Sequence, residues 1–133
     1  MTADRHTLAI YIGAKNCPQL LAECLERLAW ADEILVADAS TNDAIARMLA
    51  ERFPRVKHVM DATSDGRVRL QNQLGEIESD FVMGVDADEF FTPEGGNEIL
   101  TALKKPCRFA GFRVPSVSYL FGERMYLVRD NDT

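Results

Sequence analysis

Residues 81–89 read FVMGVDADE, and this stretch decides the fold. Five apolar or small residues without polar alternation predict a strand covered on both faces, as parallel strands are. The run stops at Asp86-Ala87-Asp88-Glu89, three acids in four positions. Toward the N-terminus the same order recurs three times, with a short apolar run, a polar loop and then a helical period. TLAIYI (7–12) leads into Gly13-Ala14-Lys15-Asn16, and EILVA (33–37) leads into Asp38-Ala39-Ser40-Thr41-Asn42-Asp43. Residues 56–60 form the third run, followed by the loop from Asp61 to Arg69.

Between the strands the apolar residues take up a helical spacing. Residues 18–29 carry Leu21, Cys24, Leu25 and Leu28 on one face; residues 42–53 carry Ile45, Met48, Leu49 and Phe53. Ser40 with Asp43 three residues on resembles a capping box with Asp in place of Glu. Ser64-Asp65-Gly66 opens a helix to about residue 78, striped by Leu70, Leu74 and Ile77. Thr92-Pro93 fits an N-cap followed by a first-turn proline, starting a short helix weakened by Gly95-Gly96. Residues 108–115 and 119–129 read as further strands, with Phe121-Gly122-Glu123-Arg124 as a turn. Strands alternating with helices predict βαβ units and a mostly parallel α/β sheet flanked by helices, in one domain over 1–133.

Composition narrows the partners. The chain has 133 residues, 47% hydrophobic and 27% charged, as a globular domain has. No apolar run approaches the roughly 20 residues that cross a bilayer, and the N-terminus shows no secretory core. A cytoplasmic location is the expectation. The net charge of -6 disfavours nucleic acid and anionic lipid, since Lys104-Lys105 is the densest basic cluster. An anionic ligand needs a bridging cation or a placed arginine. Cys17, Cys24 and Cys107 form no CxxC pair and fit neither a disulfide framework nor a zinc site. Cys24 falls on a helix's apolar face, as a small buried hydrophobe does.

Ligands of open α/β sheets bind beyond the carboxyl ends of the strands, where these polar loops fall. Crowded acids such as Asp86, Asp88 and Glu89 are relieved by protonation or by a cation. Hard oxygen donors suit Mg²⁺ or Mn²⁺, which share one or two carboxylates with substrate phosphates. An isolated DxD is also a common solvated turn. With Ser40 as the helix cap, Asp38 is left free to accept from the imide N–H of uracil or the amino group of another base. Arg67, Arg69 and Asn72 lie near a helix start, where cations are disfavoured, which hints at an anionic partner. His6 and His58 read as incidental, and Trp30 as packing.

The ordered set is Lys15-Asn16, Cys24 to Leu28, Trp30-Ala31-Asp32-Glu33-Ile34, Asp38-x-Ser40-x-x-Asp43, Arg67 to Asn72, then Asp86-x-Asp88-Glu89. From about Thr7 to Pro93 it resembles family 2 glycosyltransferases, especially the branch that decorates lipopolysaccharide core. The resemblance implies a GT-A (Rossmann-like) fold and transfer from a nucleoside-diphosphate sugar, a UDP-sugar by preference, to a saccharide or lipid-linked saccharide. It implies a nucleotide site of Ala14, Asn16, Asp38, Arg67 and Asp86, and Mg²⁺ or Mn²⁺ at Asp88 with Asp86. Cys17 stands where the family often has an acid. The family's downstream catalytic base has no match here; Glu123 and Asp130 are available but fit no pattern. A non-catalytic nucleotide-binding module and a nucleotidyltransferase are the rival readings, although Gly13-Ala14-Lys15 is a poor version of the latter's glycine-rich loop.

Overall fold

The computed structural model describes residues 4–105 and 111, and the backbone of 118–120 and 123–125. Four parallel strands form one sheet: β1 (Leu8–Ala14), β2 (Glu33–Asp38), β3 (Lys57–Met60) and β4 (Phe81–Asp86). Between and after them run α1 (Pro18–Glu26), α2 (Ala44–Arg52), α3 (Gly66–Gln73) and α4 (Pro93–Ala102). The strand order is β3-β2-β1-β4. The chain therefore steps outward from β1 to β3, then returns to the other side of β1. Ser118–Leu120 (β5) and Glu123–Met125 (β6) pair as an antiparallel ribbon, so Glu123 and Arg124 belong to a strand and not to the expected turn. The expected strand over 108–115 lies outside the described residues, apart from Gly111.

Side-chain alternation along β1 splits the core into two. Leu8, Ile10, Ile12 and Ala14 face the side packed by Leu21, Cys24 and Leu25 of α1 and by Ile45 and Leu49 of α2; Ile99 of α4 and Leu103 just past it complete that side. Tyr11 with Leu35 and Ala37 faces the other side, covered by Leu70 and Ile77. Right-handed crossovers require this split, since reversing the direction of travel across the sheet moves the crossover helix to the opposite face.

Three expectations need correction. β4 is not the strand buried on both faces; β1 is, as is the carboxyl half of β2 from Leu35 to Asp38, whereas Val82, Gly84 and Asp86 of β4 are exposed on one face among the described residues. Position in the strand order outweighs an apolar sequence. The first helix stops at Glu26, yet Leu28 is still fully buried, because the chain continues in i→i+3 turns (Arg27 N–H to Cys24, Leu28 N–H to Leu25). The third helix tightens into a 3₁₀ turn over Leu74–Glu76, which leaves Leu74 exposed.

The doublet Gly95-Gly96 does not shorten α4, which runs ten residues from its Thr92 cap. Gly96 instead lets the helix close on Trp30. A Cβ there would lie 2.7 Å from the indole Nε1, and the indole also meets Phe91 edge-on. The packing role expected of Trp30 is thus observed.

Candidate functional site

The switch in strand order falls between β1 and β4, where an open parallel sheet presents a crevice at its carboxyl end. Register fixes who meets there. Ala14 pairs with Asp38, Gly13 with Asp86, and Asp38 with Met60. Asp38 and Asp86 thus close neighbouring strands on either side of β1, although 48 positions separate them in the sequence. They do not share a face: Asp38 follows Ile34 and Val36 toward α1 and α2, whereas Asp86 lies on the face of the exposed Val82 and Gly84.

Asp38 is not the free acceptor expected from the sequence. It is fully buried; Oδ1 accepts the Ser40 N–H at 2.8 Å, and Oδ2 lies 2.9 Å from His58 Nε2. Burial pushes its carboxyl up, but the hydrogen bonds from Ser40 and His58 outweigh that and hold it below the ordinary carboxylate range. His58, read as incidental, is the acid's ring partner. Ser40 does not cap α2 either. Its Oγ accepts the Asn16 N–H at 2.8 Å, and α2 begins after Asp43, whose side chain caps nothing, with the Ala44 N–H taken by Asn42 Oδ1 at 3.0 Å. Asn16, at φ 52°, a left-handed position that Asn tolerates, turns its Oδ1 to the Thr41 N–H at 3.1 Å. The loops after β1 and β2 are therefore stitched together. Ala14 lies beneath them, buried, its carbonyl accepting the Ala39 N–H.

The acid triplet divides by role. Glu89 N–H donates to the Asp86 carbonyl at 2.9 Å, closing a turn, and the Glu89 carboxylate folds back to accept the Asp86 N–H at 2.8 Å. Ala87 is buried in the turn. That leaves the side chains of Asp86 and Asp88, both exposed and without a hydrogen bond or ion pair among the described residues. No cluster of three or more His, Cys, Asp or Glu suited to a metal forms among the described residues. Two open carboxylates fit a hard cation that takes its remaining ligands from phosphate and water, and do not fit a closed protein cage. Cys24 is buried beneath the turn, its Sγ 3.9 Å from the Asp86 carbonyl. Burial, with the nearby Glu89 carboxylate, pushes its thiol up to about 11, so it packs as a hydrophobe.

The two arginines of the third loop separate as well. Asp65 caps α3 by accepting from Arg67 N–H and Val68 N–H, which answers the backbone of Arg67 and leaves its exposed side chain without a partner among the described residues. Arg69 reaches back over the sheet. Its Nε lies 3.2 Å from the Tyr11 hydroxyl and its Nη1 3.3 Å from the Thr63 carbonyl. A Cβ on Gly13 would lie 2.3 Å from Arg69 Nη2, so only glycine lets the guanidinium settle on the strand beside Asp86. Asn72 and Gln73 donate to Asp61, whose carboxyl is held low first by its hydrogen bonds from Thr63. The glycine at 13 was the one sequence signal that could have singled out Arg69.

The chain belongs to the glycosyl transferase family 2, whose model matches residues 9–129. Among solved structures it is similar to the mannosyltransferase PcManGT from Pyrobaculum calidifontis, a complex with GDP-Man and Mn²⁺. The two are 20% identical, with a TM-score of 0.59 over 74% of this chain and 32% of that one. It is likewise similar to TarS 1–349 of S. aureus, at 21% identity and a TM-score of 0.58 over 71% of this chain and 31% of the other. At such identities the likeness speaks for the fold, which is that of GT-A glycosyltransferases. The chain spans about a third of the length of these two structures.

Proposed function

We propose that this chain binds a nucleoside-diphosphate sugar together with Mg²⁺ or Mn²⁺ and forms the donor side of glycosyl transfer to a saccharide or lipid-linked saccharide. The observation that carries the reading is the pair of open carboxylates, Asp86 and Asp88, at the β1–β4 switch point of a family 2 member. Asp86 and Asp88 hold the cation, Asp86 also lying toward the ribose or sugar. Ala14 and Asn16 line the nucleoside, and Arg67 answers the phosphates. Asp38, buried beneath the nucleoside side, holds through the Ser40 N–H the loop that receives the base. A UDP-sugar is the favoured donor on the resemblance of the sequence motifs. A bound cation offsets the charge that builds on the departing diphosphate. The protein's own part is to hold the donor at the sheet edge so that its anomeric carbon faces an acceptor, since orienting two reactants removes much of a transfer barrier. The order of the sequence motifs supports the lipopolysaccharide-core branch, with residues 1–133 acting as one donor-binding domain. No helix among the described residues is long and apolar enough to cross a membrane.

Titration calorimetry with UDP and Mn²⁺, repeated in EDTA, tests this. Chelation is expected to weaken binding by at least about tenfold, or ~1.4 kcal/mol. Equal affinity without the cation removes the bridge from the reading. Release of diphosphate from UDP- and GDP-sugars, with and without saccharide acceptors, tests turnover.

A further inference from the structure

The buried contact between β2 and β3 has no part in the reading above, yet it lies directly under the nucleoside side of the site. Asp38 cannot be reached from solvent, and one of its oxygens is committed to His58 of β3 at 2.9 Å. An ionised carboxylate only accepts, so Nε2 carries the proton of this bond and the ring orientation is fixed by it. The other oxygen holds the Ser40 N–H at 2.8 Å, Ser40 Oγ holds the Asn16 N–H at 2.8 Å, and Asn16 Oδ1 holds the Thr41 N–H at 3.1 Å. The Asp38 carbonyl also accepts the Asp61 N–H at 2.9 Å. One chain of hydrogen bonds therefore runs from β3 through the end of β2 into the loop after β1. Its two outer members, Ser40 and Asn16, belong to the two loops that the reading above gives to the nucleoside.

We infer that His58 is a positioning residue for the nucleotide site: from beneath the sheet edge it anchors Asp38, and through Ser40 and Asn16 it sets the shape of the two loops that receive the nucleoside. This rests on the donor-site reading for its ligand and on the observed hydrogen bonds for its coupling. Without the ring, Asp38 Oδ2 is a buried acceptor with an empty partner, and the carboxylate turns or draws in water to satisfy it. Ser40 then loses its anchor. The effect on a ligand is transmitted, because no atom of His58 needs to touch it.

The full chain is tested as wild type, His58→Leu, His58→Gln and Asp38→Asn, with two readouts. In the ligand-free protein, the backbone amide resonances of Ser40 and Asn16 are expected to move in His58→Leu. In His58→Gln, whose side-chain amide can donate to Oδ2, they return toward wild type. Affinity for UDP and for GDP with Mn²⁺ is expected to fall roughly tenfold in His58→Leu, as misplaced binding groups do. His58→Gln recovers most of that loss, and His58→Leu adds nothing further in the Asp38→Asn background. Unmoved Ser40 and Asn16 resonances in His58→Leu, or no recovery in His58→Gln, overturn the inference. So does a wild type that binds while His58→Leu binds equally well, and in that case the donor-site reading stands. A wild type that binds neither nucleotide overturns the donor-site reading and the ligand role of His58 with it. If His58→Leu does not fold, His58→Asn, too short to span to Oδ2, takes its place with the same expected outcomes.

Discussion

The two ends of the parallel sheet handle their acids in opposite ways. At the amino end, Asp32 takes both guanidinium nitrogens of Arg5 at 2.8 and 2.9 Å and the Leu8 N–H at 2.8 Å. Glu33 accepts from Lys57 Nζ at 2.7 Å and from the amides of Glu78 and Ser79. Asp80 accepts the Thr7 N–H at 3.1 Å. Each of these acids joins the start of one strand to its neighbour. At the carboxyl end, Asp38 and Asp61 are likewise engaged, but Asp86 and Asp88 keep their carboxylates open to solvent. A carboxylate that finishes a fold is spent on protein donors. One left open among neighbours of like charge costs stability and is tolerated where something outside the chain completes it.

The comparison breaks first at Asp32. Asp32→Ala strands a half-buried guanidinium and the Leu8 amide, so stability is expected to fall by about 1.5–3 kcal/mol, the range for charged hydrogen bonds. Urea denaturation reads it. A loss no greater than that of Asp86→Ala would remove the distinction between the two ends.

Acid sharpens the same contrast over a wider set of groups. The carboxyls of Asp32, Glu33 and Asp80 are held below their ordinary values: Asp32 first by Arg5, Asp80 first by the Thr7 amide, and Glu33 by Lys57, Ser79 and Glu78 against the opposing push of burial. A carboxyl depressed in the folded state adds stability that is complete above its unfolded value, near pH 4. That stability is lost as pH falls through the folded value. The unfolding midpoint is therefore expected to be flat from neutrality to about pH 5 and to drop below about pH 4, and less steeply in Asp32→Ala than in wild type. An equal acid slope in the variant would show that Asp32 is not among the groups responsible.

The smallest effect on stability is expected at the open carboxylates. Asp88→Asn should leave the urea midpoint in place while removing most of the Mn²⁺-linked part of UDP affinity by calorimetry. Unfolding of this variant, or unchanged cation-linked binding, would refute the assignment.

Much of this arrangement is readable from local sequence. The apolar runs at 7–12, 33–37 and 81–85 all become strands, and the stripe Leu21, Cys24, Leu25 and Leu28 is buried throughout. The motif Thr92-Pro93 starts a helix as its chemistry requires. The site was legible as a set of loops and not as a set of contacts. Asp38 was expected to be open and is closed. Arg67 was favoured by resemblance, yet Arg69 is the arginine seated on the sheet. Asp32 entered only as part of a resemblance and Glu33 only as the start of a strand, and these two acids prove to lock the amino end of the sheet.

The sequence by itself determined the alternation of strands and helices, the helix start at Ser64-Asp65-Gly66, the cap at Thr92 and the presence of acids just past the strands. These depend on periodicity and backbone chemistry within a few residues. Only the tertiary structure decided the order β3-β2-β1-β4, which buries β1 and β2 rather than β4 and sets Gly13 against Asp86. Only there does His58 meet Asp38 across 20 residues, or Ser79 meet Glu33 across 46. A carboxylate's state follows from which donors the folded chain brings within 3 Å of it, and no local pattern encodes that distance.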